Sequence, residues 1–208
     1  MLKFVIVLCV CVSISLSNRL IFLGQTSLSD YSPAGTDTSR CQYAGDKVST
    51  SLVIQYQFTL TDLFDGGVEL DVAPFHPFRW TKEETEGIPS SYTYDYTEYS
   101  FSVFLAANRN YEHVTVFAKA VPGLYLNKVN VLHDYYGYYM SVRSADISSA
   151  YFGLKLMTGI DIPLSETWGV RLEGGRTFLR RDGFPYYWNP LDKLDSWNLR
   201  LGIIHGTL

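Results

Sequence analysis

From Ser49 onward the chain alternates apolar and polar positions with a period of two. In STSLVIQYQFTLT, Leu52, Ile54, Tyr56, Phe58 and Leu60 fall on one side, and Gln55, Gln57, Thr59 and Thr61 on the other. This is the pattern of a strand with one apolar face. The alternation recurs with Val68, Leu70 and Val72 against Glu69 and Asp71. It returns with Tyr99, Phe101, Val103 and Leu105 against Ser100, Ser102 and Ala106, and with Val114, Val116, Ala118 and Ala120 against His113, Thr115 and Lys119. Three later segments repeat it. Phe152, Leu154, Leu156, Ile160 and Ile162 oppose Gly153, Lys155, Gly159 and Asp161; Trp168, Val170 and Leu172 oppose Gly169, Arg171 and Glu173; Trp197, Leu199, Leu201 and Ile203 oppose Asn198, Arg200 and Gly202.

The links between these seven strands alternate in length. Short ones at Asp62–Gly66, Asn108–Tyr111 and Pro163–Thr167 are interleaved with long ones at about Phe75–Tyr96, Asn127–Ala150 and Leu179–Asp195. Short turns on one side and long loops on the other are the signature of an up-and-down antiparallel transmembrane barrel. Closure calls for an even number of strands, so an eighth is expected in NRLIFLG, at Asn18–Gly24, followed by a first long loop over about Gln25–Lys47. The rival is a secreted soluble β-barrel that turns the same apolar residues inward around a small apolar ligand. Glycines at Gly153, Gly159, Gly169, Gly175 and Gly202, mixed with both signs of charge, decide for the membrane reading: glycine makes room for longer neighbours inside a narrow barrel.

The first residues carry Lys3, an apolar run from Phe4 to Leu16 and small residues at Ser15 and Ser17. These are the regions of a secretory signal peptide over residues 1–17, cleaved after Ser17. The run is too short to span a bilayer. Neither Cys9 nor Cys11 follows a small residue, so no lipid anchor is expected. Cleavage leaves one barrel domain over 18–208, with Cys41 as its only thiol, and therefore no disulfide framework. The chain of 208 residues is 47% apolar and 15% aromatic, with 17 basic against 21 acidic residues. That balance excludes a nucleic-acid footprint.

From about Val48 to Leu208 the chain resembles the small outer-membrane β-barrel proteins of double-membraned bacteria, the group of the OmpA transmembrane domain, OmpX and the opacity proteins. VFAKAVPGLYL and YFGLKLMTGIDIPLSETWGVRLEGGRTFL carry the resemblance: a strand with an internal glycine, then a strand, a tight turn and a strand with an inward Arg-x-Glu. Such proteins usually end in Phe or Trp, whereas this chain ends in Leu208. The resemblance implies an eight-stranded outer-membrane barrel and identifies no activity.

An eight-stranded barrel is just wide enough for side chains to fill. Its inward faces would hold Glu69, Asp71, Asp161 and Glu173 against Lys119, Lys155, Arg171 and Arg200, a balanced set expected to form an ion-pair network that plugs the lumen. Tyrosines crowd the long-loop side. Tyr92, Tyr94, Tyr96, Tyr99 and Tyr151 read as an aromatic girdle at the bilayer edge. Tyr135, Tyr136, Tyr138, Tyr139, Tyr186, Tyr187 and Trp188 are candidates for binding a host or cell-surface protein or glycan. The acidic run Lys82–Glu86 reads as a solvated loop. His76, His133 and His205 have no partner at a recognisable spacing, and His113 is expected to face inward beside Thr115. Neither a membrane-embedded lipid-acyl enzyme nor a metal or other cofactor is expected. The reading is of a monomeric, non-enzymatic outer-membrane protein in contact with lipid, serving envelope structure or adhesion.

Overall fold

The computed structural model describes residues 18–29, 41–46, 48–76, 78–84, 90–135, 142–180 and 195–206. The described residues form ten strands: β1 (Asn18–Ser29), β2 (Cys41–Asp46), β3 (Val48–Thr61), β4 (Phe64–His76), β5 (Phe78–Glu84), β6 (Ser90–Tyr111), β7 (Val114–Tyr135), β8 (Val142–Pro163), β9 (Trp168–Arg180) and β10 (Ser196–Gly206). Eight of them close into one antiparallel barrel in the order β1, β3, β4, β6, β7, β8, β9, β10. Closure comes from β1, which pairs with β3 on one side and β10 on the other. The remaining two, β2 and β5, pair with each other, and β5 also pairs with the first part of β6.

The short turns are built by their own hydroxyls. Thr61 Oγ1 accepts hydrogen bonds from the amides of Leu63 and Phe64, and Ser165 Oγ accepts from those of Thr167 and Trp168. Both compensate backbone donors that a tight reversal would otherwise leave open. The β6–β7 ladder is interrupted for two steps, at Val121 and Pro122 of β7, and Pro122 has no amide hydrogen to donate.

The apolar face of every barrel strand is outward. Leu154, Leu156 and Leu201 are 38, 49 and 60% exposed, while Lys155 and Arg200 between their neighbours are buried. A soluble barrel would place them the other way round, so its apolar centre is not what this chain builds. On β8 the outward apolar residues run from Phe152 to Ile162. Ten residues at about 3.4 Å each, tilted by about 40°, cover roughly 26 Å along the barrel axis, close to the height of a bilayer-facing band. Near its loop-side edge the Arg176 guanidinium lies over the rings of Phe178 and Trp197 and pairs with Asp195. A long cation reaching for the interface behaves in this way.

Several expectations need correction. The first strand reaches Ser29 instead of stopping at Gly24, and Cys41 lies in β2, not in a loop. β1 hid its period because its first half is apolar on both faces. Leu20 and Phe22 are outward, whereas Ile21 and Leu23 pack inside against Val53 and Ile204. The links expected at Phe75–Tyr96 and Asn127–Ala150 are largely strand, because β5, β6, β7 and β8 stay paired well beyond the apolar band. Lys82, Glu83 and Glu84 of the acidic run thus belong to β5. His113 occupies the tight turn after Tyr111 and is exposed. Tyr151 is buried inside the barrel, so it is no part of a girdle, while Tyr99 is outward.

Candidate functional site: the charged lumen

Period-two geometry sends each second residue of eight strands into one narrow space. Glycines shape that space. A Cβ at Gly153 would strike the ring of Tyr125, one at Gly159 the ring of Phe117, and one at Gly67 the ring of Phe104. Bulky rings therefore lie flat across the glycine of the next strand, leaving the middle to charged groups.

Glu69 and Glu173 form the hub. Arg200 Nη1 lies 2.9 Å from Glu69 Oε2 and 3.1 Å from Glu173 Oε2, while its Nη2 reaches Glu69 Oε1 at 2.9 Å. Its Nε donates to Gln25 Oε1 at 2.6 Å. Lys119 Nζ stands 2.7 Å from Glu173 Oε1 and 3.6 Å from Glu69 Oε2. Lys155 Nζ lies 3.1 Å from Glu69 Oε1, 3.7 Å from Asp71 Oδ2 and 3.2 Å from Ser100 Oγ. Toward the short turns Arg171 grips Asp161 with both Nε and Nη2, each at 2.6 Å, the planar fork matching the carboxylate. Arg19 stands 3.7 Å from the same carboxylate. The eight charged residues read from the sequence thus occupy one continuous, buried chain of contacts.

Others belong to it that were not singled out. Gln55 joins the two halves: its Oε1 accepts from Arg171 Nη1 at 3.0 Å and its Nε2 donates to Glu69 Oε2 at 3.1 Å. Gln25 bridges Arg200 to Asp71. Gln57 donates to Asp65 near the turn end. Gln55 and Gln57 sit on the polar side of the β3 alternation, so the signal was present; attention to charge alone passed over them. Aromatic faces supply part of the remaining lining, with Lys119 over Phe104 and Phe117, Arg171 over Phe117, and Lys155 over Tyr125.

This arrangement fills space and fixes strands to one another across the barrel. Burying each ion costs several kcal/mol, which pairing and hydrogen bonding must offset, so loss of one partner is felt by all. Among the described residues no group of three or more His, Cys, Asp or Glu side chains could hold a metal. Of the tyrosines read as surface candidates, Tyr135 is the last residue of β7. Tyr136, Tyr138, Tyr139, Tyr186, Tyr187 and Trp188 lie outside the described residues.

No protein-family model matches the sequence, and no curated protein matches it either. Solved structures do. The chain is similar to Neisserial surface protein A, with a TM-score of 0.51 at 15% identity over 89% of this chain and 96% of that one. It is similar to the outer membrane protein OprG from Pseudomonas aeruginosa, at 0.51 and 14% over 91 and 95%. It is also similar to a major outer membrane protein from Thermus thermophilus, at 0.50 and 12% over 90 and 99%. At these identities the likeness is one of fold, and the fold is that of the small outer-membrane β-barrels.

Proposed function

We propose that the chain is an integral outer-membrane protein, delivered by a signal peptide over residues 1–17, whose lumen is closed by its charge network and whose loop side meets partners at the cell surface. The observation that carries this reading is the inverted wall. Leucines, valines and aromatics face out around the barrel, and charged groups with their amide partners are buried inside. An apolar belt of this extent in water would be an aggregation surface, whereas in a bilayer it is the required one. The lumen is closed because Arg171, Arg200, Lys119 and Lys155 each direct their donors to neighbouring carboxylates, leaving the centre of an eight-stranded barrel filled. The partner is a protein or glycan, and the protein acts without catalysis.

The direct test is extraction of envelopes from cells expressing the full chain. Release only with detergent, together with a gel band that changes mobility on heating, is the expected result. Recovery in the soluble periplasmic or culture fraction would contradict the reading.

A further inference from the structure

The outer wall is not evenly padded. Ala107 of β6, Ala118 of β7, Thr158 of β8 and Gly174 of β9 stand directly opposite one another in the ladders and all face outward. Leu105 and Leu156 stand over this row from the loop side, and the depression between them is a groove of about 700 Å³ in the apolar wall. It crosses the band obliquely. Phe64, the first residue after the β3–β4 turn, lines one end, while Trp197, the second residue of β10, lines the other with Arg176 and Phe178. With strands about 4.8 Å apart, roughly 14 Å separates Ala107 from Gly174, room for the greater part of an acyl chain.

The floor suits an apolar occupant. Its one polar side chain is already satisfied, because Thr158 Oγ1 donates to the Phe117 carbonyl at 3.0 Å. Nor does the packing of the wall demand a glycine at position 174. A Cβ there would meet nothing nearer than the Asn198 carbonyl oxygen at 3.9 Å, whereas one at Gly175 would strike the Leu156 carbonyl and Met157. Glycine weakens a strand; Gly175 is needed for the barrel to pack, and Gly174 keeps the groove open. At the loop-side end the chemistry changes. The Arg176 guanidinium lies 5.3 Å from the ring centroids of both Phe178 and Trp197, and its Nη2 stands 3.4 Å from Asp195.

We propose that this groove seats one anionic lipid of the loop-side leaflet, with an acyl chain along the row from Gly174 to Ala107 and the phosphate on Arg176. Charge and polarity match it end to end: an apolar trench that terminates in a planar cation complements an amphiphile with an acyl chain and an anionic head. A guanidinium carries five donors in one plane and can bridge a carboxylate and a phosphate at once. A second copy of the barrel fits less well, because its convex wall would meet Leu105, Leu156 and Phe178, each more than a third exposed, before it reached the floor. The proposal rests on the membrane reading of the wall and specifies the lipid that the wall selects.

The test is native mass spectrometry of the full chain released from detergent micelles holding equal amounts of dioleoyl phosphatidylglycerol and dioleoyl phosphatidylcholine. One phosphatidylglycerol per barrel should be retained, with phosphatidylcholine retained about tenfold less. Gly174→Leu, which fills the groove without crowding the wall, should lower that retention about tenfold, and Arg176→Gln by a similar factor. Gly24→Leu, at an outward glycine of β1 where an added Cβ also meets open space, should change it less than about twofold. Ala118→Leu replaces either groove variant should that variant lose the heat-dependent gel shift of the folded barrel. Equal retention of the two lipids, retention that survives filling of the groove, or equal loss from Gly24→Leu would overturn the proposal. A lipid-free pair of barrels abolished by Gly174→Leu would overturn it too, giving the groove to a second copy. A chain that stays in solution without detergent contradicts the membrane reading itself; a detergent-dependent barrel that retains no phosphatidylglycerol contradicts the groove assignment alone.

Discussion

The outward side of β6 passes through two solvents within one strand. Leu105, Val103, Phe101 and Tyr99 are exposed and apolar, while Thr97, the next residue on the same face, is polar. The strand and its pairing with β7 continue across that boundary, while its other partner changes from β4 to β5. A continuous strand has no structural need for such a switch, so the switch records what surrounds it, lipid below and water above.

That contrast can be broken most severely from the inside. Arg200→Ala removes contacts to both hub carboxylates and leaves Glu69 and Glu173 buried with fewer cations, which should cost about 3–5 kcal/mol. Unfolding followed by the temperature of the gel-mobility change should fall accordingly. A variant as heat-resistant as the parent would mean that the lumen is wet enough to solvate the orphaned acids.

Next in size is a charge placed on the outer wall. Leu156→Arg puts a cation near mid-band and should oppose folding into liposomes by about 2–4 kcal/mol. The same change at Thr97, the first polar residue beyond the apolar run of β6, should stay within about 1 kcal/mol. Similar costs at the two positions would erase the boundary between them.

The smallest effect concerns Cys41, which β2 carries in the extension, beyond the band. A membrane-impermeant maleimide should label it on intact cells without altering stability. Protection until the outer membrane is permeabilised would place the extension on the periplasmic side.

The barrel was legible because lipid and a narrow lumen impose opposite chemistry on alternate residues, and seven strands carry that imprint without interruption. β1 blurred it by packing Ile21 and Leu23 inside, against Val53 and Ile204. The charged members of the lumen could be read from their phase alone, whereas the role of Gln55 depends on two partners, Arg171 and Glu69, brought to it from distant strands.

The account stands or falls on the solvent that meets the outer wall. In a Cys41→Ser background, spin labels placed in turn at Leu105, Val103, Phe101, Tyr99 and Thr97 report the environment along one line of β6. Through Phe101 the labels should be relaxed more by lipid-dissolved oxygen than by a water-soluble nickel reagent, with the preference reversing by Thr97. A uniform preference for nickel along the whole line would contradict the membrane assignment.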